Sequence, residues 1–99
     1  MVFVKCYRKD NQLEHGVDHV EYYGVITRYE NSGWVTIRVF AEVVTLDDDG
    51  YYEHTLFPPQ DINARSDKKS PNTYWPSSGG YYEVVENIDP NISALYNPF

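Results

Sequence analysis

The sequence predicts a mainly β protein: a small antiparallel sheet of about five strands, closed as a barrel or packed as a sandwich. The run Trp34 to Leu46 contains no glycine or proline and is rich in valine and aromatic residues, which is typical of a strand. Shorter strand-like runs lie on either side of it, separated by turn-forming residues. A chain of 99 residues is long enough for one domain with a small core.

The central run alternates between two kinds of side chain, as expected for a strand with one buried face. Its apolar face, which we predict to lie on the core, comprises Val35, Ile37, Val39, Ala41 and Val43. Its mixed face, which we predict to be partly exposed, comprises Trp34, Thr36, Arg38, Phe40, Glu42 and Val44.

The remaining strands are predicted at residues 2–7, 21–30, 51–57 and 81–86. The turn at residues 30–33 makes residues 21–46 an antiparallel hairpin, and the Asp-Asp-Asp-Gly turn adds a third strand. Pro58 and Pro59 are expected to end that third strand, since proline supplies no amide donor to the sheet. The sequence therefore predicts a three-stranded meander over residues 21–57.

Three segments outside the meander need separate interpretations. Leu13, Val17 and Val20 are spaced for a short helix, although Gly16 disfavours it and a loop is equally compatible. Residues 60–80 are polar and predict a long loop that Tyr74 and Trp75 hold against the domain. Asp89 followed by Pro90 predicts a short C-terminal helical turn with an N-cap, which Asn97 and Pro98 would end.

The turn placement from Gly24 to Ile62 resembles that of SH3-like and Tudor-like barrels. The segment has a strand, a turn, a long strand, an Asp-Gly turn and then the closing stretch Phe-Pro-Pro-Gln-Asp-Ile. This resemblance implies a small SH3-like barrel and covers about a third of the chain.

Charge is the strongest functional signal in the sequence. The net charge is −7, and residues 10–64 contain eleven acidic residues against only Arg28 and Arg38. Such a field repels phosphates and attracts basic proteins, so we expect a protein partner and no direct nucleic-acid binding. Cys6 is the only cysteine, and neither a signal peptide nor a membrane-spanning run occurs. We therefore expect a soluble cytoplasmic protein, monomeric or homodimeric, without membrane attachment.

Catalytic and metal-binding motifs are absent, with one partial exception. His15 and His19 would share a face of a helix, where Asp18 and either Cys6 or His54 could complete a zinc site. The HExxH pattern is missing, and no nucleotide-binding or nucleophile motif occurs. We therefore predict a non-enzymatic protein without metal or cofactor, and keep a metal-dependent enzyme on His15, Asp18 and His19 as an alternative.

The hypothesis that accounts best for these features is a binding protein that inhibits or regulates a basic, nucleic-acid-binding partner. In composition the chain resembles the small acidic inhibitors that phages and mobile elements direct against host defence systems, some of which mimic DNA. The predicted acidic contacts are Asp47, Asp48, Asp49 and Glu53, supported by Glu30, Glu42 and Asp61. The predicted aromatic anchors are Tyr51, Tyr52, Tyr74 and Trp75.

A second hypothesis is a structural or assembly subunit of a larger complex. In that case the loop at residues 60–80 and the tail at residues 96–99 would be docking arms that become ordered on contact. This alternative needs no acidic recognition surface.

Overall fold

The computed structural model describes residues 1–7, 15–48 and 50–96, and two thirds of these described residues lie in antiparallel strands. The strands are β1 (Phe3–Tyr7), β2 (Val17–Tyr29), β3 (Trp34–Leu46), β4 (Tyr51–Asp67), β5 (Ser70–Pro76) and β6 (Tyr82–Val85). They pair in sequence order, and β6 pairs with β1 to close a six-stranded barrel. The predicted antiparallel β fold is confirmed, with a barrel closed by six strands.

The predicted hairpin between β2 and β3 is also confirmed. A single turn of 3-10 helix, Asn31–Gly33, connects the two strands. Ser32 and Gly33 have φ of 62° and 83°, and the Glu30 amide donates to the Trp34 carbonyl at 2.8 Å. Glycine adopts such positive φ values without steric cost, which accounts for a tight turn at this position.

An inner core fills the barrel. On β3, Val35, Ile37 and Val39 point inward and are buried, as their alternation predicts. The other buried members of this core are Val4, Ile26, Ala64, Tyr74 and Tyr82. The barrel is therefore a packed core, closed by residues from all six strands.

A β-bulge at Phe40 divides β3 into two halves with opposite facing. Gly24 pairs with Val39 and Tyr23 pairs with Ala41, so Phe40 is an extra residue opposite β2. An extra residue shifts the alternation by one position, which turns Ala41 to the outside of the barrel. The prediction that Phe40 and Val44 are partly exposed is therefore wrong. Ala41 and Val43 are buried as predicted, but they do not share one face with Val35, Ile37 and Val39.

An outer core covers the barrel where β3 has changed facing. Its buried members are Tyr23, Val25, Phe40, Ala41, Val43 and Ile92. Ile92 comes from helix α1 (Pro90–Ser93), whose first turn is capped by the Asp89 carboxylate accepting from the Asn91 amide at 2.9 Å. The predicted N-cap and Pro90 at the helix start are confirmed, whereas Asn97 and Pro98 lie outside the described residues.

Residues 60–80 do not form the predicted long loop. Strand β4 continues to Asp67 and β5 follows from Ser70. Ala41 pairs with Thr55 and Val39 with Gln60, so residues 56–59 make no ladder pairs opposite the bulge. Proline is tolerated there because no amide donor is needed. The tight turn into β5 is held by the Asp67 carboxylate, which accepts from the amides of Lys69 and Ser70 at 2.8 and 2.9 Å.

Candidate functional site

The predicted binding residues separate to opposite ends of the barrel. Strand β3 runs along the molecule from Trp34 to Leu46, and the longest dimension is 43 Å. The Asp-Asp-Asp-Gly turn at residues 47–50, which we call the acidic turn, follows Leu46, the last residue of β3. Trp75 pairs with Arg65, which pairs with Trp34 at the first residue of β3. Because of this arrangement, the acidic turn and Trp75 do not form one continuous surface.

Three other predicted contacts also lie away from the acidic turn. Tyr74 is buried in the inner core, so the prediction that it anchors a partner is wrong. Burial raises the pKa of its hydroxyl. Glu30 lies beside Trp34 at the opposite end, and Asp61 pairs with Arg38 within the sheet.

Six carboxylates gather at the end of the barrel that contains the turn between β3 and β4, which we call the acidic end. It comprises Asp18, Glu21, Glu42, Asp47, Asp48 and Glu53. Strand pairing brings them together: Glu21 and Glu53 face Val43 from its two sides, and Glu42 lies between Tyr22 and His54. Lys5 is the one lysine that the described residues place there, with its Nζ 3.5 Å from Glu21.

The backbone of the acidic turn is fixed by hydrogen bonds. The Leu46 amide donates to the Gly50 carbonyl at 2.7 Å, and the Asp47 amide donates to the Gly16 carbonyl at 3.1 Å. Asp48 accepts from the Gly50 amide at 3.3 Å, whereas Asp47 is exposed and its carboxylate has no partner among the described residues. Asp49 lies outside the described residues. Hydrogen bonds therefore tie the backbone of Asp47 and Gly50, on either side of this turn, to Gly16, Leu46 and Asp48.

Glu21 and Glu53 are less exposed than Asp47 and Asp48. The two glutamates differ in the hydrogen bonds and ion pairs that their carboxylates make. Glu21 accepts from the Tyr23 hydroxyl at 3.1 Å and lies 3.5 Å from both Lys5 and His19. Burial, together with the Glu21 carboxylate, raises the pKa of Tyr23 well above its usual value. The Oε2 atom of Glu53 is buried and accepts no hydrogen bond from the described part of the chain. That oxygen is an acceptor without a donor, which is costly in a folded protein.

Exposed tyrosines accompany these carboxylates. Tyr7, Tyr51 and Tyr52 are 53%, 61% and 51% exposed and lie at the acidic end of β1 and β4. The Tyr52 ring stacks on His54, with centroids 5.9 Å apart, and His54 lies 3.4 Å from Glu42. Tyrosine combines a large apolar ring with a polar hydroxyl, which suits protein interfaces.

The histidines do not form the metal site that the alternative hypothesis requires. Strand β2 begins at Val17, so His15 and His19 do not share a helix face, and a helix through Val17 and Val20 is wrong. His19 instead contacts Asp18 at 2.8 Å and the Thr45 hydroxyl at 3.3 Å. No group of three histidine, cysteine, aspartate or glutamate residues that could hold a metal ion occurs within residues 1–7, 15–48 and 50–96.

The opposite end carries a cleft that the sequence interpretation did not predict. Trp34, Arg65 and Trp75 lie side by side on β3, β4 and β5, and the cleft has a volume of about 940 Å³. The Arg65 guanidinium lies over the Trp34 ring at 5.9 Å, and its Nε donates to the Ser32 carbonyl at 3.1 Å. The two tryptophans are 41 positions apart in the sequence, so only the strand register brings them together.

Comparisons with other proteins found no match: no family model fits the chain, and no curated protein or solved structure is similar to it. No helix in the described part of the chain is long and apolar enough to cross a membrane. The chemistry of the acidic end and of the cleft is what supports a function.

Proposed function

We propose that this protein is a non-enzymatic, cytoplasmic binding protein whose acidic end occupies a basic surface on a nucleic-acid-binding partner and thereby inhibits or regulates it. The observation that carries this proposal is the gathering of six carboxylates and three exposed tyrosines at one end of the barrel, against one lysine among the described residues. In this respect the acidic end would act as a mimic of a nucleic-acid backbone.

Electrostatic attraction supplies the first step of such binding. Screening acts over about 8 Å at physiological ionic strength, so charges reinforce one another most when they lie on neighbouring residues or neighbouring strands. Charges of one sign on one surface steer an oppositely charged partner and raise its association rate. Asp18, Asp47 and Asp48 are the exposed members of the cluster, and Asp47 and Asp48 act first because, unlike Asp18, neither contacts a histidine or lysine among the described residues.

Order in the acidic end reduces the cost of binding. The carboxylates lie on paired strands or next to backbone that is hydrogen-bonded at Leu46, Asp47 and Gly50, so less backbone freedom remains to be lost on binding. Tyr51 and Tyr52 supply apolar area next to the charges, where aromatic residues contribute most to affinity.

A comparative capture experiment tests the proposal. Three baits are used: the wild-type chain, an Asp47→Asn/Asp48→Asn variant, and a Glu30→Gln/Glu86→Gln variant that loses the same charge away from the acidic end. Glu30 lies beside Trp34, and Glu86 follows Val85, which pairs with Phe3 at the end of β1 opposite Tyr7. The proposal expects the wild type and the Glu30/Glu86 variant to capture the same basic nucleic-acid-binding protein from native lysate. The Asp47/Asp48 variant should capture much less of it, and duplex DNA should release it by competition.

Two results would overturn the proposal. One is capture of the same proteins in the same amounts by all three baits, because binding would then not depend on the acidic turn. The other is a captured basic protein that stays bound in excess duplex DNA, because the acidic end would then not occupy the nucleic-acid surface.

A further inference from the structure

The cleft at the opposite end, which we call the tryptophan cleft, combines two tryptophans with unpaired cations. Its lining includes Trp34, Trp75, Arg65 and Lys68, together with Asp67, whose carboxylate accepts from the backbone amides of Lys69 and Ser70. Within the described residues, no carboxylate lies within 4.0 Å of Arg65, Lys68 or Lys69, in contrast to Arg28 and Arg38. The cleft therefore offers positive charge next to aromatic surface. Its cations, Arg65 and Lys68, form no ion pair with the described residues.

Arg65 is held in one orientation before any ligand arrives. Its Nε donates to the Ser32 carbonyl, and its guanidinium plane lies over the Trp34 ring. Its two terminal nitrogens have no hydrogen-bond acceptor among the described residues. A guanidinium with this free fork binds a carboxylate or phosphate through two parallel hydrogen bonds. The tryptophan cleft is therefore suited to an anionic group that has an aromatic or apolar neighbour.

The acidic end of the same chain has that composition. Asp47 and Asp48 have exposed carboxylates, and Tyr51 and Tyr52 have exposed rings. We call the surface formed by these four residues the acidic tip. One molecule cannot bring its own tip into its own cleft, because β3 separates them along a molecule 43 Å long. Contact between these two surfaces requires two molecules.

We propose that the acidic tip of one copy docks in the tryptophan cleft of a second copy, giving head-to-tail association. This inference rests on the acidic end being a binding surface, as in the proposed function. It adds a binding role for the tryptophan cleft and identifies its ligand as the acidic tip of a second copy. The two contacting surfaces are different, so a dimer leaves one acidic tip and one tryptophan cleft free. Further copies can bind to these free surfaces and extend the assembly. Self-association also competes with a foreign basic partner for the same tip.

The cleft provides its own reporter, because Trp34 and Trp75 are the only two tryptophans in the chain. As wild-type protein is concentrated, tryptophan emission should shift to shorter wavelength while the mass from light scattering rises above that of one copy. Both signals should be lost in an Asp47→Asn/Asp48→Asn tip variant and in an Arg65→Gln/Lys68→Gln cleft variant. Thermal melts confirm that each variant is folded.

Mixing the two variants gives the decisive result. The tip variant keeps an intact cleft and the cleft variant keeps an intact tip, so the mixture has one productive contact. The expected mass is that of two copies, with no growth beyond it, and only the tip variant should show the emission shift. Restored association of two inactive variants cannot result from a general change in net charge.

Several outcomes would overturn the inference. Wild-type protein that stays at the mass of one copy with unchanged emission at the highest attainable concentration excludes it. A dimer that both variants retain shows a different, symmetric interface. Emission that responds to an oligothymidine strand but never to protein concentration assigns the cleft to nucleic acid instead. Each of these results leaves capture of a basic partner by the acidic end intact, so the two proposals fail separately.

Discussion

The ring of Phe40 meets the ring of Tyr96 edge-on, with their centroids 5.3 Å apart and their planes at 65°. Phe40 is the bulged residue of β3, and Tyr96 follows α1, so this contact joins the barrel to the C-terminal segment. Phe40 also meets Phe3 edge-on at 6.1 Å. The outer core therefore depends on a residue that points outward from the barrel and is nevertheless buried.

Replacing Phe40 with alanine should destabilise the protein strongly. Phe40 is 1% exposed, and a buried phenylalanine replaced by alanine costs about 3–5 kcal/mol. The matched control is Phe57→Ala, because Phe57 is 95% exposed and exposed substitutions usually change stability by less than about 0.5 kcal/mol. Urea unfolding of both variants measures the difference, and equal losses would contradict the outer core described here.

Gly24 should not tolerate a larger residue. A Cβ at this position would lie 2.5 Å from Cγ2 of Ile37 and 3.1 Å from the Arg38 carbonyl oxygen. We expect Gly24→Ala to cost about 1–3 kcal/mol, as for other overpacked cores. The same substitution in an Ile37→Ala background should cost less, because the clashing methyl is gone. Denaturant unfolding of the four proteins gives the coupling energy, and additive effects would show that Ile37 is not the obstacle.

The pair formed by Arg38 and Asp61 should make stability depend on pH. Arg38 donates to Asp61 through Nε at 2.9 Å and Nη2 at 3.1 Å, and these hydrogen bonds lower the pKa of the carboxyl. Because the folded pKa is below the unfolded one, the stabilisation is complete above the unfolded value of about 3.9. It is lost as the pH falls through the folded pKa.

Comparison with Asp61→Asn isolates this effect. The melting temperature of the wild type should exceed that of the variant by a small margin near neutral pH, since both partners are exposed. The difference between the two melting temperatures should disappear in acid, when Asp61 is protonated. A margin that stays constant from about pH 6 to about pH 2 would contradict the ion pair as its source.

Cys6 should be a slow nucleophile in the folded protein. It packs against the inner core, and burial raises the pKa of its thiol, so the reactive thiolate is scarce at neutral pH. We expect a disulfide reagent to modify Cys6 much more slowly in native protein than in protein unfolded by guanidinium. Equal rates in the two states would show that Cys6 is accessible and not part of the core.

Local patterns predict most of the strands but not where their pairing is interrupted. The alternation of Val35, Ile37 and Val39 and the turn before Trp34 were sufficient for the β2–β3 hairpin. Nothing local distinguishes Phe40 as a bulge, because the extra residue is defined only against β2 and β4. Pro58 and Pro59 likewise predict the end of a strand, and β4 continues only because the bulge opposite them removes the need for ladder donors.

The same limit applies to the surfaces. The acidic turn could be recognised in the sequence because Asp47 and Asp48 are neighbours in the chain. The pairing that adds Glu21, Glu42 and Glu53 to it depends on strand register. The tryptophan cleft was missed for the same reason, since Trp34, Arg65 and Trp75 come from three strands. Tyr74 was misassigned because alternation in a short strand does not tell which of two adjacent aromatic residues points inward.

The most direct test of acidic-end recognition is the association rate with the captured basic partner, measured by stopped flow over a range of ionic strengths. The wild type and Glu30→Gln/Glu86→Gln should associate fastest at low salt and slow down along similar steep lines as salt is added. Asp47→Asn/Asp48→Asn should associate more slowly at low salt and with a shallower dependence, because charges that steer the encounter have been removed. A folded Asp47/Asp48 variant with the same rate and slope as the Glu30/Glu86 control would contradict recognition through the acidic end.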